Sequence, residues 1–370
     1  MSNNPDVTIV ISTYNRAAEL RPALDSVLAQ QTGGVCYEVI VVDNNSTDDT
    51  RQVVESLIAT APVPLRYVFE GRPGIPHGRN AGIEAARASI IAFTDDDNRV
   101  APDWVQQIKR ALDAHPEVDY VGGRVLPEWS DEPPSWLTPA HWSPLALTDY
   151  GDASFYSNAS NPVCLITANL ALRRSLFDRI GFFAPRMLRC SDHELQLRAW
   201  RAGRQGMYVP QIVVIADVQP ERLTEAYHRR WHRNHGKYSA LMQYSEHLGI
   251  EIAAAHEESP TSAAPNALRL YGIPAFVCRR SLAKMAGWSK QYLSAALRGE
   301  RDASFYHANR LRHLVNYLAT AYKQDASRRP NSHITEITSF TRSLIRKKIR
   351  ATDRTRPTAR TPQPKLGAQF

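Results

Sequence analysis

Cysteine is scarce in this sequence, and long apolar runs are missing. The four cysteines, Cys36, Cys164, Cys190 and Cys278, are scattered and form no CxxC pair. This spacing argues against a disulfide framework or a zinc site and predicts a reducing, cytosolic setting. The first residues, MSNNPDVTIVIS, lack the basic and apolar regions of a signal peptide, and no run approaches the ~20 apolar residues that cross a bilayer. We therefore expect a chain that is soluble or lies on a membrane.

Basic residues are in excess only at the end of the chain. The formal charge is +8, but residues 327–370 hold 11 Lys and Arg against 2 acidic residues. The first 326 residues are therefore nearly neutral, and the net charge says nothing about what they bind. Within the tail, residues 333–350 have an apolar and a basic helical side, which predicts contact with an anionic membrane surface. Aromatic residues are not interleaved with the basic ones, so we expect no nucleic acid partner.

Strand and helix patterns alternate along the first third of the chain. Short β-branched runs predict strands, and a helical pattern follows each of them; the strands are Val7–Ser12, Tyr37–Asp43, Leu65–Glu70 and Ser89–Asp95. Alternation at this spacing predicts an α/β fold with a Rossmann-like, mostly parallel central sheet that is covered on both faces. Ligands of such sheets bind at the carboxyl ends of the strands. From Gly122 to about Tyr156, a Pro- and Trp-rich stretch predicts a long loop across that site.

Composition suggests three segments. Residues 1–245 carry the strand and helix alternation, and 43% of all residues are hydrophobic, which is enough for a sizeable core. Residues 246–326 are predicted to be a linker (257–266) and a helical C-terminal extension, with a stripe of Leu282, Met285, Trp288, Tyr292 and Ala296. Residues 327–370 are the basic tail, and we expect its end to be disordered.

Polar groups that suit a nucleotide-sugar stand at the predicted strand ends. Tyr14 offers a flat ring for stacking, and Asp43 can accept from the imide N–H of a pyrimidine. Arg79 lies at a loop–helix junction that faces the same crevice. Asp95–Asp97 supply hard oxygen ligands for Mg²⁺ or Mn²⁺, although three aspartates after a strand are also typical of a solvated turn.

The chain resembles family 2 of the inverting glycosyltransferases, which have the GT-A fold, over about residues 6–236. The resemblance rests on the order and spacing of the motifs VTIVISTYNR, VIVVDNNSTDDT, GIPHGRNAGIEAA, IIAFTDDDNRVAPDW, ITANLALRR and CSDHELQLRAWRAG. It implies an enzyme that moves a sugar from a nucleotide-sugar donor, UDP- or dTDP-linked, to a glycan or lipid-linked acceptor in polysaccharide synthesis. It also implies a cytoplasmic protein, or one peripheral on the inner face of the cell membrane.

The resemblance assigns roles to individual positions. The donor nucleotide would be held by the set Thr13, Tyr14, Asn15, Arg16, Asp43, Arg79, Asp95 and Asp96. Asp97, the last residue of a DxD motif, would bind Mn²⁺ or Mg²⁺ with Asp95, and Asp217 stands nearest the place of a further ligand. The glutamate–aspartate pair of the family corresponds to Ser191 and Asp192, so Asp192 keeps the place of the catalytic base. Asn169, Glu194 and Trp129 would line the acceptor and sugar pocket.

Several alternatives remain at this point. His228, His232 and His235 share one helical face, which predicts either further metal ligands or, since arginines crowd them, a surface for phosphate or lipid. Trp129, Trp136 and Trp142 could form an acceptor platform or pin the long loop by packing. Asn169 could be a buried structural residue. The missing glutamate before Asp192 favours a catalytically silent relative that binds nucleotide-sugar or glycan as an assembly factor.

Overall fold

A computed structural model of the chain describes residues 4–242, 269–270 and 273–327. Residues 1–322 form one compact unit and residues 323–370 a second, and every contact below belongs to the first unit. The predicted membrane helix of residues 333–350 and the predicted linker of residues 257–266 lie outside the described residues. In the described part, no helix combines the length and the apolar character needed to cross a membrane. The three-segment division of the chain stays a prediction.

The first half of the central sheet has parallel strands linked by helices. Its strands are β1 (Val7–Thr13), β2 (Tyr37–Asp43), β3 (Leu65–Phe69) and β4 (Ile90–Asp95), in the order β3-β2-β1-β4. The connecting helices are α1 (Ala17–Leu28), α2 (Thr50–Ile58) and α3 (Ile75–Ala85). Strand β1 reads as a continuous apolar, β-branched run because it is buried on both faces. The parallel half of the sheet is therefore as predicted.

The second half of the sheet is mixed. It contains β5 (Asn98–Val100), helix α4 (Trp104–Ala114), β6 (Tyr120–Trp129), β7 (Phe155–Ser157), β8 (Asn169–Arg173), helices α5 (Arg174–Ile180) and α6 (Ser191–Arg201), and β9 (Gly206–Val218). Strand β8 lies antiparallel between β4 and β6, whereas β6 and β9 are parallel. The described sheet therefore has four parallel and four antiparallel strand pairings.

The prediction of a loop from Gly122 onwards was wrong for its first part, because β6 continues to Trp129. Gly122 and Gly123 lie inside this strand. Gly123 allows a close approach of two strands, since a Cβ at this position would lie 1.9 Å from the carbonyl oxygen of Ile212 on β9. The loop that follows contains two short 3₁₀ helices, Pro139–His141 and Ser143–Leu145.

Three long helices follow the sheet. A 3₁₀ helix (Pro220–Leu223) leads into α7 (Glu225–Leu241); the two-residue strands β10 (Arg269–Leu270) and β11 (Ile273–Pro274) precede α8 (Ala275–Leu297) and α9 (Arg301–Ser327). Ala240 of α7 packs with Leu314 and Tyr317 of α9, and Met285 and Trp288 of α8 pack against this cluster. Of the predicted stripe, Met285 and Trp288 therefore face this cluster, whereas Leu282 and Ala296 are exposed.

Candidate active site

The carboxyl ends of β1, β2 and β4 form one crevice. The parallel register sets Thr13 opposite Asp43 and Ser12 opposite Asp95. Asp43 is buried, and its two carboxylate oxygens accept from the Tyr67 hydroxyl and from the backbone N–H of Ser46, each at 2.7 Å. Burial and the bond to Asp43 raise the pKa of Tyr67, so this hydroxyl stays a donor. The Asp43 carboxylate is thus held in a fixed orientation and keeps lone pairs for a further donor.

The loop after β1 is tied to the loop after β2. Asn15 adopts a left-handed backbone with φ of 52°, and its side-chain oxygen accepts from the Thr47 N–H at 2.7 Å. The Asn15 N–H donates to Ser46 Oγ at 2.9 Å. Asn15 therefore organises the loops, while the neighbouring Tyr14 ring, 55% exposed, is available for stacking.

Three aspartates and two arginines occupy the floor of the crevice. The Arg16 guanidinium contacts Asp96 at 3.4 Å and Asp97 at 3.0 Å, and Arg222 lies 3.7 Å from the same Asp97 oxygen. Burial raises the pKa of Asp96 to about 7, although the charge of Arg16 opposes this shift. The pKa of Asp95 is also raised, first by loss of water and then by the charges of Asp97 and Asp192, while 40% of its side chain stays exposed.

Arg79 connects β4 with the start of α6. Its guanidinium donates to Ser191 Oγ at 2.9 Å and lies 3.5 Å from Asp95. Asp192, the next residue, accepts from the N–H groups of His193 and Thr167, and its charge acts on Asp95. Cys190 precedes the helix with φ of 57°, an unusual backbone for a residue with a side chain. The predicted base and the predicted donor-binding acids therefore share one crevice.

The predicted metal ligands are only partly brought together. Asp97 and Asp217 line one cavity of about 460 Å³, along with Glu19 and Glu128. Asp217 already accepts from Ser130 Oγ and Gln219 Nε2, and the described residues hold no group of three His, Cys, Asp or Glu that could bind a metal ion. A donor set of one or two carboxylates fits Mg²⁺ or Mn²⁺, since such ions complete their coordination with water and substrate phosphates.

The predicted histidine surface was wrong. His228 is fully buried and packs edge-on against Trp136 at 5.0 Å, and His235 Nδ1 lies 3.2 Å from His313 Nδ1 of α9. Burial lowers the pKa of His228 to about 4 and that of His232 to about 3, so both are neutral. This face packs against α9 and the loop, and it presents neither a metal site nor a surface for phosphate or lipid.

The predicted acceptor residues do not gather in the crevice. Asn169 is 1% exposed; its amide donates to the carbonyls of Arg124 and Ile212, and its oxygen accepts from Trp104 Nε1. It therefore joins strands in the core instead of facing a sugar, which corrects the prediction. Glu194 forms a double ion pair with Arg198 one turn along α6. Trp129 is half-buried against the core, as is Trp142, and Trp136 is buried.

Sequence reasoning missed three contact residues. Tyr67 fixes Asp43, Ser191 receives Arg79, and Arg222 approaches Asp97. Tyr67 and Ser191 could have been found, because they stand at a strand and at a helix start that face the crevice. No local signal marks Arg222, because it lies 125 positions after its partner.

Comparison with known proteins agrees with this geometry. Residues 8–181 match the family described as Glycosyl transferase family 2. The succinoglycan biosynthesis protein ExoO of Rhizobium meliloti (strain 1021) is 43% identical over 112 residues, which cover 30% of this chain and 30% of that protein. Glycosyltransferase AglE of Haloferax volcanii is 26% identical over 220 residues, which cover 59% of this chain and 69% of that protein.

One solved structure shares the fold. It is the mannosyltransferase PcManGT from Pyrobaculum calidifontis in complex with GDP-Man and Mn²⁺, with a TM-score of 0.55 at 19% identity, covering 86% of this chain and 88% of that chain. The fold is the GT-A fold of glycosyltransferases. The chain spans about 30% of the length of two curated relatives that it matches, ExoO among them. The family match over residues 8–181, the relatives and the shared fold confirm the resemblance to glycosyltransferase family 2.

Proposed function

We propose that this protein is an inverting glycosyltransferase that moves a sugar from a nucleotide-sugar to an acceptor hydroxyl. One observation carries the proposal. Asp192 lies in the first turn of α6, and Arg79 bridges Asp95 to the adjacent Ser191, with contacts of 3.5 Å and 2.9 Å. A carboxylate beside the donor's phosphate site is what a general base needs in order to reach a hydroxyl bound over the sugar.

The donor would lie across the carboxyl ends of β1, β2 and β4. Tyr14 would stack on the base, and the fixed carboxylate of Asp43 would accept from its N–H. Arg16 and Arg222, now paired with Asp97, would be available to hold the diphosphate. Asp97 and Asp95, with Asp217 across the shared cavity, would hold Mn²⁺ or Mg²⁺. A bound divalent cation neutralises charge on a leaving diphosphate.

The transfer would be a single displacement. The acceptor oxygen forms a bond to the anomeric carbon while the bond from that carbon to the phosphate oxygen breaks. The hydroxyl proton goes to the Asp192 carboxylate, and the nucleoside diphosphate leaves on the opposite face, so the configuration inverts. General-base assistance of this kind accelerates a reaction by about 10²–10⁴-fold.

The relatives support a role in surface or extracellular polysaccharide synthesis. ExoO is a succinoglycan biosynthesis protein, and PcManGT is a mannosyltransferase that binds GDP-Man and Mn²⁺. By extension, the proposed donor is a nucleoside diphosphate sugar with UDP or dTDP as its nucleotide. The proposed acceptor is a glycan or a lipid-linked glycan. A cytoplasmic site of action fits the scattered cysteines.

A catalytically silent relative is the second candidate. Ser191 stands where the resemblance implies a glutamate, and two arginines cover the Asp97 carboxylate. Such a protein would bind a nucleotide-sugar without turning it over.

The deciding experiment measures nucleotide release from UDP-, dTDP- and GDP-sugars with Mn²⁺, Mg²⁺ or EDTA. The wild type would be compared with Asp97→Ala, Asp192→Asn and the exposed surface control Asp178→Asn. We expect release from one donor, lost with EDTA and in Asp97→Ala, and lowered at least about 10²-fold in Asp192→Asn. Asp178→Asn should match the wild type.

Calorimetry with the same donors separates the two candidates. If the wild type binds a donor with metal but releases no nucleotide with any supplied acceptor, the silent relative is favoured. If no donor binds, the nucleotide-sugar site itself is wrong.

A further inference from the structure

Helix α8 has an apolar face that no described residue covers. Its inner face carries the buried Ser281 and Ala295, with Met285 and Trp288 packed on the α7–α9 cluster. Leu282, Leu293 and Leu297 are 61%, 55% and 88% exposed, and Leu297 is the most exposed large apolar side chain in the described chain.

These three leucines lie along one side of the helix. Their spacings of 11 and 4 residues return to nearly the same direction at 3.6 residues per turn. They face away from the inner residues, and a Cβ added at Gly287, on the outer surface, would meet open space. A surface helix normally presents polar residues to water at such positions, so the exposure of three leucines in one row needs an explanation.

The same helix is strongly basic. It contains Arg279, Arg280, Lys284 and Lys290 and no acidic residue. Arg279 and Lys290 are exposed and flank the row of leucines on its outer edge. The basic helix stands out because the first 326 residues, taken together, are nearly neutral.

We propose that the α8 leucine face, defined as Leu282, Leu293 and Leu297 with Arg279 and Lys290, docks onto an anionic lipid surface. A helix with an apolar row and flanking basic residues lies in the plane of the interface, with leucines among the acyl chains and cations at the head groups. A protein partner fits less well. The leucines offer on the order of 400 Å² of apolar surface, about half of the roughly 800 Å² that each partner buries in a stable complex.

The test is sedimentation of the full chain with phosphatidylcholine vesicles, with and without phosphatidylglycerol, at low and at high salt. The wild type should bind only the anionic vesicles, and salt should weaken binding because it screens the head groups. The triple variant Leu282→Ser/Leu293→Ser/Leu297→Ser should lower the partition coefficient at least about ten-fold, since each leucine loses its transfer from water. Arg279→Gln/Lys290→Gln should lower it by about ten-fold or more at low salt only.

The matched control is Ile58→Ser on α2. Ile58 is an apolar residue that is 42% exposed on another surface, so the change is of the same kind but lies away from α8. It should bind vesicles like the wild type. All variants should stay folded and keep the wild-type nucleotide release, because their side chains lie on the outside and away from the crevice. The triple serine variant should melt slightly below the wild type, since serine is a poorer helix former than leucine. The result for lipid binding is therefore separate from the result for the proposed function.

Three outcomes would overturn the proposal. The wild type could ignore anionic vesicles. The triple variant could bind as well as the wild type, which would assign lipid binding to another part of the chain. Light scattering could show a wild-type dimer that the triple variant loses without any vesicle binding, which would make the α8 leucine face a contact between two copies.

Discussion

Gly82 on α3 controls how closely that helix lies on β1. A Cβ added to Gly82 would be 2.3 Å from Cγ1 and 3.1 Å from Cγ2 of Val10, a buried residue of β1. Carbon atoms prefer about 3.5–4.0 Å, so Gly82→Ala must push the helix and the strand apart by about 1 Å. We expect the free energy of unfolding to fall by about 1–3 kcal/mol, the usual cost of an overpacked core.

The same displacement should reach the active site. Arg79 lies one turn before Gly82 on α3, and its bond to Ser191 is 2.9 Å long. A shift of about 1 Å would take this distance beyond hydrogen-bonding range, and such misplacement costs up to about 10²-fold in rate. Urea unfolding and nucleotide release measure the two effects.

Two further variants test this reasoning. Gly287→Ala on α8 is the same substitution in a helix where the new Cβ meets nothing within 4 Å, and it should raise the stability by about 0.5–1 kcal/mol. Val10→Ala combined with Gly82→Ala removes the clashing carbons and should recover part of the lost activity. If Gly82→Ala alone unfolds like the wild type and keeps full activity, the close packing of α3 on β1 does not position Arg79.

Two other expectations concern buried polar groups. Asn169→Ala removes three hydrogen bonds and leaves Trp104 Nε1–H without an acceptor. Urea unfolding should therefore show a loss of about 2–4 kcal/mol in the free energy of unfolding, while the KM for the donor should not change. Unchanged stability with a raised KM would instead return Asn169 to the sugar pocket. Burial lowers the pKa of His228 to about 4 in the folded protein, whereas the same side chain has a pKa of about 6.5 in the unfolded chain. Between these two pH values, His228 is neutral in the folded protein and takes up a proton only on unfolding. Stability should therefore be complete above about pH 6.5 and fall as the pH drops towards 4, with a contribution of about 2 kcal/mol at pH 5. In urea unfolding at pH 7.5 and pH 5, His228→Leu should lose about 2 kcal/mol less stability between the two pH values than the wild type. An identical pH dependence in both proteins would contradict this role of His228.

The parts of the site that sequence could predict are those set by strand ends. Asp43 and Asp95 follow apolar runs that alternate with helices, and parallel neighbours bring their carboxyl ends to the same edge. The shared crevice follows from this rule alone, without any knowledge of side-chain contacts.

The rest depended on contacts between distant segments. Asn169 begins an antiparallel strand inserted beside β4, and strand patterns do not show on which side of the sheet a first residue points. The helical period of His228 and His232 showed that they share a face, but α9, which covers that face, begins about 70 residues later. Arg222 reaches Asp97 only because the end of β9 returns to the crevice.

The bonds between the first two loops bear on how donor preference could be altered. The Asn15 N–H donates to the Ser46 hydroxyl, the Asn15 side-chain oxygen accepts from the Thr47 N–H, and Asp48 accepts from the N–H of Ala17. A graft that exchanged only one loop would leave these partners unmatched. Loops 14–17 and 44–50 should therefore be transplanted between relatives as a pair, and recombination that separates them is expected to yield poorly active chimaeras.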